Sequence, residues 1–181
     1  MAKRAQLRTA RSHRGFTLME LLVVLVLVGI VASLATLAVG DGAERQVRSE
    51  AERLANVLRL ARDETMITGE AERALGLRRD GYSFLELVLL DDATREWRAV
   101  GDSQLGPHLF QEGIVELEFD LEGDRKAARQ TNSWEPHIRL SNAGEMTPAL
   151  ITLRKPGSEI SKQVQIGVDG RIEVLDGQPE Q

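Results

Sequence analysis

The sequence predicts an α+β fold, a long N-terminal helix followed by an antiparallel β-sandwich domain of about eight strands. Three observations predict it. Phe16 to Val39 is an apolar run whose one charged residue is Glu20. Residues 43–68 then carry apolar side chains at a helical spacing. After Gly69 the period drops to two, and turn residues separate short runs.

The chain has 181 residues, enough for one ordinary domain plus an appendage. Its charge is divided. Residues 1–15 hold Lys3, Arg4, Arg8, Arg11 and Arg14 and no acid, a net +5; the whole chain is −5, which leaves −10 for the remainder. An acidic body argues against nucleic-acid binding through phosphate neutralisation. The absence of cysteine excludes a disulfide framework and a thiolate zinc site.

As a helix, Phe16–Val39 would measure ~36 Å, enough to cross a ~30 Å hydrocarbon core. The basic residues before it should stay cytoplasmic. A secretory signal peptide has a shorter apolar region and a small-residue cleavage site at its end. A plain anchor would leave Glu20 unexplained, because an ionised side chain within the bilayer needs a partner. Glu20 also lies near enough to the helix start to snorkel toward the headgroups.

The stretch "RGFTLMELLVVLVLVGI" resembles the class III signal of type IV pilins and type II secretion pseudopilins. The resemblance implies that a prepilin peptidase cuts between Gly15 and Phe16, and that the new Phe16 amine is methylated. Glu20 becomes the fifth residue of the mature chain. In a filament of parallel helices it would pair with the amine of a neighbouring subunit and set the axial step. The implied organisation is a cleaved leader over 1–15, a transmembrane and assembly half-helix over 16–40, an amphipathic periplasmic half over 41–68, and a periplasmic β-sheet domain over 69–181. This is a pilin-like layout.

Gly40-Asp41-Gly42 interrupts the helical pattern and predicts a kink or a weak point. Beyond it, Val47, Ala51, Leu54, Leu58, Ala61 and Thr65 are spaced 4, 3, 4, 3, 4, one stripe of a helix that packs on the following domain. Arg45, Arg48, Glu52, Arg59, Arg62 and Asp63 occupy the opposite face. Gly69 is the expected stop. The strand candidates are "RALGLRR", "YSFLELVLL", "REWRAV", "GIVELEFDL", "HIRLS", "ALITLRK", "KQVQIGV" and "RIEVL". Asp80-Gly81 and Asp169-Gly170 signal tight hairpins. Residues 122–133 are polar and read as an exposed loop.

No catalytic constellation stands out, and no enzyme activity is expected. His13, His108 and His137 lack metal-ligand spacing. Asp91-Asp92 reads as a turn, since calcium needs more oxygen ligands. Ser103 and Ser133 have no adjacent base by motif. Trp97 lies in a strand and reads as core. Trp134, at the end of the polar loop, either packs locally or meets a partner.

"LSNAGEMTPALITLRKPG", Leu140 to Gly157, resembles the S-x-G-E-x-T-P segment before a strand in GspH-type minor pseudopilins. Asn142, Gly144 and Pro148 suit a turn between two strands, and Glu145 and Thr147 are expected to cap or bond it. The resemblance implies an inner-membrane, single-pass minor pseudopilin in a Gram-negative cell, part of the pseudopilus tip that helps push folded exoproteins through the outer-membrane secretin. The partners implied are the prepilin peptidase/N-methyltransferase, the other minor pseudopilins, the major pseudopilin, the inner-membrane assembly platform and, on its outer surface, exoproteins. No cofactor or metal is implied. The alternative is a minor type IV pilin of the FimT/FimU kind, acting in pilus initiation or DNA uptake.

Overall fold

The computed structural model describes residues 17–69, 72–91, 94–102, 104–121, 124–127, 131 and 133–177, without the side chains of 34–41 and 124–127. The chain divides into two units, Met1–Gly40 and Asp41–Gln181. Helix α1 (Leu18–Thr68) provides the described part of the first and the opening element of the second.

In the first unit every described side chain, Thr17 to Ser33, is exposed. Thr17 starts the helix. Its carbonyl accepts the amides of Glu20 at 3.1 Å and Leu21 at 3.2 Å, and its hydroxyl accepts the Glu20 amide at 3.2 Å. That is N-cap geometry, in which a side-chain oxygen satisfies a free helix-end donor. Further along, the Ser33 hydroxyl donates to the Gly29 carbonyl at 2.9 Å, so its polarity is satisfied within the helix. α1 runs through Gly40-Asp41-Gly42, where the sequence suggests an interruption. Helix-interior glycines cost about 1 kcal/mol each relative to alanine, which the strong helix formers and buried stripe that follow offset.

In the second unit the expected stripe is the buried one: Val47, Ala51, Leu54, Leu58 and Ala61 are fully buried and Thr65 nearly so. The Thr65 hydroxyl donates to the Ala61 carbonyl at 2.7 Å, which makes a hydroxyl tolerable there. Gly69, at φ +62°, ends the helix and donates its amide to the Thr65 carbonyl at 3.1 Å.

Ten strands follow among the described residues: β1 (Arg73–Arg78), β2 (Gly81–Leu89), β3 (Arg95–Ala99), β4 (His108–Leu109), β5 (Glu116–Leu121), β6 (Asp124–Ala127), β7 (Pro136–Leu140), β8 (Ala149–Arg154), β9 (Ser161–Ile166) and β10 (Ile172–Asp176). They form two antiparallel sheets. One has the order β3-β2-β1-β7 with β4 also on β2, and the other runs β10-β9-β8-β5-β6. The second sheet buries alternate residues, as one solvated face requires. Its register aligns Phe119, Ile151, Val164 and Val174 across four strands. Leu75, Phe84 and Ile138 align likewise in the first sheet. These ladders and the helix stripe share one core.

All eight expected runs are strands. The two unexpected ones are short: β4 has two residues, and β6 pairs with β5 inside the stretch read as a loop. At Asp80-Gly81 the turn falls on Arg79-Asp80, and Gly81 is the first residue of β2. An added Cβ at Gly81 would overlap the His108 carbonyl oxygen, so glycine here makes room for β4. Asp169-Gly170 sits in a five-residue connection, where Gly170 at φ +74° donates its amide to the Gly167 carbonyl at 3.0 Å. Trp97, expected in the core, is only half-buried, because β3 is an edge strand whose other four side chains are exposed.

Candidate functional site

Two regions carry the sequence-predicted functional residues. Gly15 and Phe16, the expected cleavage and methylation positions, lie outside the described residues. Glu20 lies within them, exposed, in the first turn of α1. Thr17 and Glu20 occupy the N-cap and third helical positions, the spacing of a capping box. That signature is legible in "TLME", and it adds a local role for Glu20: a carboxylate at a helix N-terminus is stabilised by the free amides and the helix dipole. The described side chains around it are nearly all apolar, and all are exposed; Leu18 is 83%, Leu25 73% and Val31 65% exposed. Among the described residues no helix is long and apolar enough to cross a membrane. The described side chains of the apolar run stop at Ser33.

The second region is the "SNAGEMTP" turn. Ser141 and Glu145 close it, the Ser141 amide donating to the Glu145 carbonyl at 2.8 Å, and the Ser141 hydroxyl accepts the Ala143 amide at 3.0 Å. Thr147 locks the turn onto β7: its hydroxyl accepts the Arg139 amide and its own amide donates to the Arg139 carbonyl, both at 3.1 Å. Gly144 is buried at φ +86°, and a Cβ there would press on the Met66 sulfur. Its carbonyl oxygen in turn leaves no room for a Cβ at Gly170. Two residues of α1 hold the β9–β10 side of this joint. The Arg62 guanidinium donates to the Gly170 carbonyl at 2.7 Å, and that of Arg59 to the Ile172 carbonyl at 2.8 Å. The turn therefore fastens the end of α1 to β7 and to the β9–β10 hairpin. Thr147 bonds it as the sequence suggests; Glu145 does so through its backbone, while its side chain is exposed.

A groove of about 550 Å³ opens beside this turn, lined by Glu72, Arg139, Glu145, Leu140, Met146 and Val168 among others. Sequence reasoning missed it, since its walls come from the α1–β1 connection, β7 and the β9–β10 connection.

The remaining candidates serve packing. The His108 Nε2 meets Glu50 at 2.8 Å, joining β4 to α1, and its ring lies 5.0 Å from that of Tyr82. The His137 Nδ1 accepts the Leu77 amide at 3.1 Å, and its ring packs edge-on against Phe119 at 4.7 Å. Trp134 packs over Gly76, with the Arg78 guanidinium 4.6 Å from its ring centroid. Burial pushes the Tyr82 phenol up to about 12, with the Arg53 guanidinium working against the rise. The Lys162 ammonium, bonded to Asp176, holds that carboxyl below the usual range, and Asp176 raises Lys162 in return. Among the described residues no group of three or more His, Asp or Glu is placed to hold a metal ion.

Residues 10–36 match the prokaryotic N-terminal methylation motif, and residues 50–170 match the type II transport protein GspH family. The chain is 32% identical to type II secretion system protein H of Pseudomonas aeruginosa over 178 residues, covering 91% of this chain and 98% of that one. It is 30% identical to the protein of the same name from Aeromonas hydrophila, covering 94% and 99%. In fold it resembles the minor pseudopilin EpsH from the type 2 secretion system of Vibrio cholerae, with a TM-score of 0.59, 20% identity, and 75% of this chain and 99% of that one covered.

Proposed function

The chain belongs to the GspH family of type II transport proteins, and from that premise we propose that it works as a minor pseudopilin of type II secretion, a structural subunit that helps start the pseudopilus. Membership of this family favours secretion over the pilus reading. The observation that carries the reading is the described part of the first unit: an apolar helix whose described side chains, Thr17 to Ser33, are all exposed and whose one charged group there, Glu20, stands in its first turn. Such a segment needs a partner outside its own chain, first the lipid of the inner membrane and then the helices of neighbouring subunits.

The steps follow from the chemistry. The prepilin peptidase hydrolyses the Gly15–Phe16 peptide bond on the cytoplasmic side, leaving an α-amine on Phe16 that stays basic after N-methylation. In the unassembled subunit the Thr17 N-cap fixes the helix start, and the helix N-terminus stabilises the Glu20 carboxylate. On assembly the carboxylate meets the amine of a neighbour, where low dielectric strengthens the pair. The 69–181 domain stays on the periplasmic side and offers its surface to other minor pseudopilins, the major pseudopilin and the assembly platform. The cutting and the energy for assembly come from other proteins.

The test is complementation. A strain lacking the gene should regain exoprotein secretion with the native chain and not with Glu20→Leu, although both accumulate in the inner membrane. Gly15→Ala should accumulate with its leader attached, which mass spectrometry of the N-terminus would read. Full secretion by Glu20→Leu, or a mature Phe16 terminus in Gly15→Ala, would overturn the reading.

A further inference from the structure

The S-N-A-G-E-M-T-P turn is more than a structural joint. Its Ser141, Gly144 and Thr147 are used up by the fold, through the hydrogen bonds and close approaches described above. The Glu145 carboxylate is not used: it is exposed and has no ion-pair or hydrogen-bond partner among the described residues. The same holds for the side chains of Glu72 and Arg139, which line the groove with it. Most arginines elsewhere in this unit are engaged; Arg62, Arg73, Arg78, Arg79 and Arg154 all pair with a carboxylate.

The groove combines these free charges with apolar surface. Leu140 and Met146 give it a buried apolar lining, and Val168 lines it 65% exposed. Two carboxylates, Glu72 and Glu145, and one guanidinium, Arg139, line it. The groove also lies at the C-terminal end of α1, where the last turn holds no basic residue and the helix dipole adds negative potential. An occupant complementary to this surface carries positive charge and an apolar side chain together.

We propose that this groove is a docking site for a neighbouring subunit of the same assembly, which inserts a segment bearing a lysine or arginine next to an apolar residue. The cationic head meets Glu145 and Glu72, while its aliphatic stem and the apolar neighbour cover Met146 and Val168. Glu145 is the specificity-determining group, since charge across an interface selects partners more than it adds raw affinity. The proposal rests on the pseudopilin reading for the class of its partner.

The experiment uses the full-length chain in its own membrane. A photo-activatable phenylalanine analogue replaces the exposed Asn142 at the groove, or the exposed Glu173 away from it as a control. Cross-linked peptides are then identified by mass spectrometry. The expected result is a cross-link from position 142 to a pseudopilin peptide that contains a lysine or arginine. It should fall about tenfold with Glu145→Lys and return when the partner's basic residue is changed to glutamate. The cross-link from position 173 should not respond. A cross-link from 142 indifferent to Glu145→Lys, one to a peptide without a basic residue, one to lipid alone, or none at all would overturn the proposal. Complementation separates the two readings: a Glu20→Leu chain that still secretes defeats the pseudopilin function itself, whereas charge reversal at Glu145 without effect defeats only the docking site.

Discussion

Leu25 and Leu58 sit in the same helix with opposite surroundings. Leu25 is 73% exposed and Leu58 fully buried. The difference extends to the sequence around them. Near Leu25 all faces are apolar, so no rotation of the helix could hide them in a small domain. Near Leu58 the apolar residues form one stripe and charges form the other face. The first pattern calls for a partner outside the chain and the second finds its partner within it. Helix α1 thus presents apolar side chains on every described face near one end and buries a single stripe near the other.

That contrast can be broken at either end. The largest effect is expected from Leu58→Ala, which should lower the unfolding free energy of the detergent-solubilised chain by about 2–5 kcal/mol through cavity formation. Leu25→Ala should change it by less than about 0.5 kcal/mol. Denaturant titration followed by tryptophan fluorescence compares the two. Equal effects would mean that the exposed half contributes to the domain fold.

The joint at the end of α1 sharpens the same point. Gly170→Ala meets both a left-handed φ and the Gly144 carbonyl oxygen, and should cost about 2–3 kcal/mol. Gly157→Ala meets a similar φ of +68° in open space, and should cost about 1–2 kcal/mol. A difference in unfolding midpoint between the variants isolates the contribution of close approach.

Tyr82 supplies a pH test of burial in the second unit. Below pH 10 its hydroxyl is protonated in both folded and unfolded chains. Between 10 and about 12 the unfolded hydroxyl ionises while the folded one does not. Stability should therefore fall with rising pH across that window, by about 2–3 kcal/mol in total. Tyr82→Phe should remove that part of the slope, leaving the smaller loss from the raised Lys162. Tyr82 is the only tyrosine of the chain, so its ionisation can be followed directly by ultraviolet absorbance.

The most local effect is expected at the helix start. Thr17→Ala removes the N-cap hydroxyl and should cost about 1 kcal/mol of local helix stability, while the domain's unfolding curve stays in place. Hydrogen exchange of the first-turn amides would register the loss, and Thr17→Ser should restore protection.

Much of this was legible because local patterns and tertiary environment agree. The Val47–Thr65 stripe could be read from spacing alone, and every residue in it is buried. The run that became β8 alternates as its faces require. Where reading failed, the cause was non-local. β4 is too short for a pattern and exists because Gly81 lets it approach β2. β6 is polar except for Ala127 and is held by its ladder to β5. Trp97 looked like core because its residue type is apolar, but edge position exposes the strand around it. Among the candidate site residues, Glu20 was legible as a charge out of place in an apolar run, whereas the Thr17 cap of the helix emerged only with the structure.

The sequence by itself determined the division of labour along the chain. Hydrophobic period is a local property: all-round apolarity, a single stripe and alternation each admit few solutions for burial. Tertiary structure alone decided the groove and the role of "SNAGEMTP". Gly144 matters because Met66 and Gly170 come within touching distance of it. Glu145 lines a groove drawn from three distant segments, and among the described residues its carboxylate has no partner.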